Sequence, residues 1–450
     1  MSLLIIFLVS FLGILLGKLL FKKWFNHLTL YCLIFGGSLF LYELKLLPYV
    51  DIIPLAWFVM ITSFLSFSMG VLTIISARNL SKRKLIFDKK SDISLKIFLD
   101  DGKTLKYVII ILSLISLYST IEFWNILIKQ FGSIPAVLVN GQVIYRLNIE
   151  GELKGTTPYI SLLGFVAVFF VGIYTAYKGK FTLLTFIPLI SIVLREVAAA
   201  GRVGMSIALM EFTFSFLLFR YLLNNDIHSR FKFSNVNAIV ASLVLIAVFI
   251  AGASLVRISR VTNSSENISG ASRGLRQMKE NLIISPSVYL YASGSIGVLS
   301  KYLGSEGENT MFGQNTFQTA YLFLAKLDVI KKPSVYPRGY FIPMWTNSAT
   351  YLRALHADFG ITGVLLFPFI IGLLTTWLWF RFYERNSIIV FAFLVYFYLI
   401  VGFSFLVIVT RFYYWTVDLA IILILTPVIE KIATRNYNTK KYKYQSLLVK

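Results

Sequence analysis

The chain has 450 residues, of which 57% are hydrophobic and only 14% charged. A soluble protein carries about 25% charged residues, and with a mean hydropathy of +0.75 the composition excludes a soluble domain in favour of a polytopic membrane protein. The formal net charge of +22 does not indicate a nucleic-acid partner, because the basic excess lies in the connections between apolar runs, where positive-inside bias places it.

Each span needs about 20 apolar residues, and backbone polar groups in lipid must be satisfied internally, so the spans are helices. Apolar runs predict about eleven of them, near 2–20, 28–47, 54–76, 107–125, 159–177, 182–200, 203–223, 237–256, 360–380, 387–408 and 411–429. The expected fold class is therefore an all-α polytopic membrane protein, one helical bundle without a separately folding soluble domain. The first run has no basic residues before it, and Lys22-Lys23 follow it, which reads as a retained anchor and not a cleaved signal peptide. The single cysteine, Cys32, falls inside a span and excludes a disulfide framework.

Orientation follows from Lys and Arg in the connections. The 78–106 connection carries nine, and Lys22-Lys23, Lys178/Lys180, Arg230/Lys232, Arg381/Arg385 and six basic residues from Lys431 to Lys450 fall on the same side. That side is expected to be the cytoplasm. The N-terminus is then outside and the C-terminus inside, as an odd number of spans requires. The expected organisation is eight spans in 1–256, a large exterior loop over 257–358, three spans in 359–430 and a basic tail over 431–450.

Two exterior segments stand out. Residues 126–158 are too long for a turn, and Phe131, Ile134, Val137, Leu138 and Val139 predict a short helix or re-entrant piece. The insert over 257–358 is expected to begin with a flexible stretch at 262–270. Helices near 271–283, 286–303 and 313–327 and a Pro-rich turn at 333–343 follow. No internal repeat is visible, so an inverted-repeat transporter is not indicated.

The exterior side holds Arg146, Arg195, Arg202, Arg257, Arg260, Arg273, Arg276, Arg338, Arg353 and Arg411, although positive-inside bias depletes arginine there. Guanidinium forks suit bidentate binding of phosphate. Snorkelling or headgroup binding explains any one of them equally well. Glu196 lies between Arg195 and Arg202 in a turn rich in Ala and Gly. It is a candidate base, or the centre of an ion pair with either arginine that holds the turn. Among acids at membrane depth, Glu211 lies mid-span, with Glu43, Glu122 and Asp418 as the others. An intramembrane acid is a functional candidate or the partner of a buried arginine.

His356 is the only exterior histidine and lies three residues from Arg353, so the two share a helix face. Histidine is the side chain best matched to proton transfer near neutral pH; a structural role is the alternative. Asp358 and Gly360 read as a cap and turn opening the next span. Tyr289, Tyr336, Tyr340 and Trp345 offer stacking faces for sugars, or packing and an interfacial belt. No zinc-type spacing, P-loop or paired-carboxylate sugar-nucleotide motif is present, and no cofactor is expected.

Three motifs occur in order: Tyr289-Leu-Tyr291-Ala-Ser-Gly294-Ser, then Phe312-Gly313-Gln-Asn315-Thr316-Phe317, then Asn347-Ser-Ala-Thr350-Tyr351-Leu-Arg353 running into Asp358-Phe359-Gly360-Ile-Thr-Gly363. Together with the Arg195–Arg202 turn, over about 190–380, the chain resembles the O-antigen polymerase (Wzy) or oligosaccharide repeat unit polymerase family. The resemblance implies a bacterial inner-membrane glycosyltransferase of the metal-independent, multi-span (GT-C-like) type. It would transfer a growing undecaprenyl-diphosphate glycan onto a single lipid-linked repeat unit at the periplasmic face. Expected partners are the two lipid-diphosphate oligosaccharides, membrane lipids and, as a candidate, a chain-length regulator.

On that reading His356, with Glu196 as second choice, takes the acceptor proton. Arg195, Arg202, Arg257, Arg260, Arg273, Arg276, Arg338 and Arg353, with Tyr289 and Tyr336, hold pyrophosphate and glycan. Two rivals stay open: an O-antigen ligase, which differs in its acceptor, and a lipid-linked oligosaccharide flippase, against which the one-sided insert argues.

Overall fold

The computed structural model describes residues 2–80, 95, 98–99, 102–153, 160–226, 270–281, 286–305, 307–308, 310–334 and 337–448. The described residues are 79% helical with almost no strand. Among the described residues, six helices are long and apolar enough to cross a membrane: Leu3–Phe21, Pro54–Leu80, Lys103–Phe131, Ile160–Lys178, Val203–Tyr221 and Tyr351–Arg385. This is a helical, multi-pass membrane protein. The expected spans at 28–47, 182–200, 387–408 and 411–429 also fall on helical segments (His27–Glu43 in three consecutive pieces, Leu183–Ala198, Ile388–Phe403 and Tyr413–Leu448). The expected span at 237–256 lies outside the described residues, as does most of the 262–270 stretch.

The chain divides into two compact units, where the sequence leads one to expect a single bundle. The first comprises Met1–Lys84, Thr262–Phe380 and Phe397–Trp415; the second comprises Leu85–Val261, Arg381–Tyr396 and Thr416–Lys450. The described insert residues thus fall in the same unit as the first spans in sequence.

In the first unit, helices Pro54–Leu80 and Tyr351–Arg385 cross where a side chain at Gly70 would collide with the Phe369 carbonyl, and one at Gly372 with the Phe67 carbonyl. Small residues at such a crossing let two backbones approach closely in lipid. Above it, the hydroxyls of Tyr31, Ser63 and Tyr351 form a buried triangle with sides of 3.0, 3.0 and 2.9 Å. That triangle, with Tyr351 N donating to the Ser404 carbonyl at 3.0 Å, anchors the start of the helix that carries Arg353 and His356.

The insert forms helices Arg273–Glu280, Pro286–Leu303 and Gln318–Lys326, close to the three expected. Pro286–Leu303 lies on a tyrosine stack. The Tyr42 and Tyr49 rings are 4.3 Å apart, and Tyr49 and Tyr289 are 6.2 Å apart. Tyr49 Oη meets Ser293 Oγ at 2.9 Å, and Tyr42 donates to the Val50 carbonyl at 2.8 Å. Instead of a plain Pro-rich turn, residues 340–346 form a small antiparallel hairpin that pairs Tyr340 with Thr346 and Phe341 with Trp345.

In the second unit, Leu163–Lys178 is buried along nearly its whole length. It meets Val203–Asp226 where Gly172 faces Ser215. Ser116 and Ser191 add a hydroxyl contact of 2.9 Å between Lys103–Phe131 and Leu183–Ala198. The expected short helix in 126–158 is two helices, Ile134–Val139 and Gly141–Glu150. Val137 and Ile144 pack with Phe123, Leu127, Ala198 and Ala199, which seats these helices on the 195–202 turn.

Candidate active site on the insert

The helix holding Arg353 and His356 breaks at Gly360, whose φ of 63° and ψ of −154° belong to a region essentially reserved for glycine. A short helical piece over 351–359 therefore precedes the long segment that follows. Arg353 and His356 both face Tyr302, near the end of Pro286–Leu303. Tyr302 Oη lies 3.0 Å from His356 Nδ1, and the two rings meet edge to face with centroids 5.6 Å apart. The Arg353 guanidinium lies over the same Tyr302 ring at 5.6 Å and over Tyr340 at 5.1 Å. Burial and the nearby Glu308 carboxylate push the Tyr302 hydroxyl up to about 12, so it stays protonated across the physiological range.

Arg353 is 3% exposed. Its Nη2 forms an ion pair with Glu308 and donates to the Arg338 carbonyl. Its Nη1 donates to the Asn347 carbonyl at 3.4 Å. The expected phosphate-binding fork is thus turned inward and ties the Glu308 carboxylate to the 338 and 347 backbones. Arg338 remains exposed, with its guanidinium 5.6 Å from the Tyr340 ring. Arg273 and Arg276 are exposed on the helix Arg273–Glu280, whose Ser272 cap accepts from Leu275 N at 3.2 Å.

Asp358 is not a helix cap as expected. It lies inside the 351–359 piece, and its carboxylate clamps the 310–317 turn. Oδ1 accepts from Asn315 N at 3.0 Å and Asn315 Nδ2 at 2.9 Å. Oδ2 accepts from Thr316 N at 2.7 Å and Thr316 Oγ1 at 2.8 Å. Thr410 Oγ1 adds a bond to the Thr316 carbonyl at 2.8 Å, and Arg411 Nε donates to Gln318 Oε1 at 2.9 Å. Two of the motifs quoted above, around Asn315-Thr316 and around Asp358-Phe359-Gly360, therefore meet in one place.

The tautomer of His356 decides its chemistry. If Nδ1–H donates to Tyr302 Oη, Nε2 keeps a lone pair and accepts a proton. If Tyr302 donates to Nδ1, the neutral ring carries its proton on Nε2 and is a donor there. His356 is half-buried.

Tyr289 is 3% exposed, with its hydroxyl on the Leu41 carbonyl; its ring belongs to the tyrosine stack. Trp345, by contrast, is 68% exposed. Arg257, Arg260 and Tyr336 lie outside the described residues. In the second unit, Glu196 is buried and accepts from Gly204 N at 3.2 Å. A side chain at Gly201 or Gly204 would collide with its carboxylate. It thus sits at the N-terminus of Val203–Asp226, where a negative charge is favoured by the helix dipole. Arg195 lies over the Phe123 ring at 4.7 Å, and Arg202 is half-buried at the same turn.

Tyr302 and Glu308 are central here and carry no local motif. Glu308 had one usable signal, as an acid within an arginine-rich insert that needs partners. Comparison with family models, curated proteins and solved structures finds no match to this chain.

Proposed function

We propose that this protein is a glycosyltransferase that joins polyprenyl-diphosphate-linked oligosaccharide repeat units at the periplasmic face of a bacterial inner membrane, with its N-terminus outside and its C-terminus in the cytoplasm. The observation that carries the reading is the Tyr302–His356 contact, held beside a buried Arg353–Glu308 pair on a large insert in an otherwise span-rich chain. The ordered motifs at 289–295, 312–317 and 347–363 support it.

In this reading the acceptor hydroxyl oxygen attacks the anomeric carbon of the donor sugar. The bond from that carbon to the diphosphate oxygen breaks, and the lipid diphosphate leaves with the electron pair. His356 Nε2 takes the acceptor proton while its Nδ1–H is held on Tyr302. Exposed Arg273, Arg276 and Arg338 offset the charge on the leaving group, as fixed cations do where negative charge develops. Arg353 acts by positioning Tyr302, since its two terminal nitrogens are already engaged. Trp345 offers an exposed ring for a sugar. Direct displacement inverts the anomeric centre.

The test is reconstitution of the purified protein with a single lipid-linked repeat unit, in buffer containing EDTA. A ladder of products spaced by one repeat is expected. Transfer that stops after one addition, and only to a different acceptor, would indicate a ligase. Movement of intact lipid-linked repeats across the bilayer without new glycosidic bonds would indicate a flippase and overturn the proposal.

A further inference from the structure

Three helices of the second unit bring oxygen atoms together inside the apolar part of the chain. Glu211 lies on Val203–Asp226, Tyr396 on Ile388–Phe403 and Asp418 on Tyr413–Leu448. All three are 0% exposed. Tyr396 donates to Glu211 Oε1 at 3.0 Å. Glu211 Oε2 and both carboxylate oxygens of Asp418 have no hydrogen-bond partner among the described residues. Asp418 is near enough to act electrostatically on both Glu211 and Tyr396.

Nothing basic among the described residues offsets this charge. The two carboxylates act electrostatically on each other and on Tyr396. The neighbouring helix Leu163–Lys178 carries no ionisable group before Tyr174, and Leu183–Ala198 carries none before Arg195. An isolated ionised carboxylate in such surroundings is costly, and unsatisfied buried oxygens add to the cost. Acids in this position mark ion or proton sites by default.

We propose that Glu211, Asp418 and Tyr396 form an intramembrane site that binds one monovalent cation, with Na⁺ and H⁺ exchanging for the same carboxylate oxygens. Hard cations take oxygen ligands. A divalent ion fits less well, because two carboxylates and one hydroxyl offer few oxygens against the about 6–8 that Ca²⁺ takes. With one carboxyl protonated and the other ionised, a single Na⁺ leaves the site neutral. Replacing that ion by a proton preserves neutrality, so each Na⁺ bound at low pH releases one proton.

The test uses the full-length protein in nanodiscs and dicyclohexylcarbodiimide, which forms a stable adduct with protonated carboxyls in apolar surroundings. Adducts on Glu211 and Asp418 are read by mass spectrometry. Labelling of both carboxyls is expected in choline chloride at mildly acidic pH, and when sodium chloride replaces it at constant ionic strength the carboxyl that exchanges its proton for Na⁺ is protected. The sodium concentration for half-protection should fall about tenfold per unit rise in pH, as competition by one proton requires. Glu211→Gln should abolish sodium protection of Asp418. The wild-type titration stands by itself if that variant misfolds. Failure to label either residue without sodium, labelling indifferent to sodium, or protection by Ca²⁺ or Mg²⁺ but not Na⁺ would each overturn the proposal.

Discussion

On the insert, the buried Arg353 guanidinium meets Glu308, two backbone carbonyls and the faces of two tyrosines. In the second unit, Glu211 and Asp418 are buried at least as deeply, yet three of their four carboxylate oxygens meet no donor among the described residues. A buried charge with fixed partners is scaffolding: it holds a surface in place for something else to use. A buried charge without partners is costly as it stands, and it becomes tolerable by taking up a proton or a cation. The first arrangement therefore resists single substitutions poorly, and the second should resist them well.

Glu308→Ala should have the largest effect on stability, because it strands Arg353 as an uncompensated buried charge; removing one partner of such a pair costs about 3–5 kcal/mol. Thermal unfolding in detergent measures it, and Glu308→Ala combined with Arg353→Met should recover much of the loss. A single-variant cost under about 1 kcal/mol would mean that the pair is not buried as described.

Asp358→Ala comes next. It removes an acceptor shared by Asn315 and Thr316. Hydrogen bonds to a charged group are worth about 1.5–3 kcal/mol each, so a loss of at least that size is expected, together with faster proteolysis at 310–317. Intact protease resistance there would show that the clamp does not order the turn. Gly360→Ala should cost about 1–3 kcal/mol, the usual strain of a side chain in that backbone region, read from the same unfolding curves. A neutral result would place the kink elsewhere.

Glu211→Gln should be the mildest. It keeps an acceptor for Tyr396 and removes a potential buried charge, and such replacements are often neutral or stabilising. A melting temperature unchanged or raised is expected. A loss as large as that of Glu308→Ala would erase the distinction between the two regions.

The local parts of this picture were legible in the sequence. Arg353 and His356 share a face because they are three residues apart on a helix, and Gly360 marks a break that another residue would strain. Spans and insert helices followed from apolar runs and prolines. The partners were not legible. Glu308 is 45 residues from Arg353, and Tyr302 is 54 from His356. Tyr396 is 185 residues from Glu211. No local periodicity encodes contacts at that range. Arg353 was read as a phosphate ligand because its fork suits phosphate, and the competing acceptors (a carboxylate and two carbonyls) became visible only once the chain was folded. The 340–346 hairpin was missed because two-residue strands are shorter than any alternation pattern.

In the proposed reaction His356 moves the proton for glycosyl transfer, positioned by Tyr302. The most direct measurement compares turnover and lipid-linked substrate binding for His356→Ala and Tyr302→Phe in reconstituted protein. A general base contributes about 10²–10⁴-fold. His356→Ala should lose turnover by that factor with binding nearly unchanged, because a base acts in the transition state and not in the ground-state complex. Tyr302→Phe should show a smaller loss of the same kind. If His356→Ala stays within about threefold of wild type, well short of what a base supplies, or loses binding in proportion to turnover, His356 is not the base and the account of this site is contradicted.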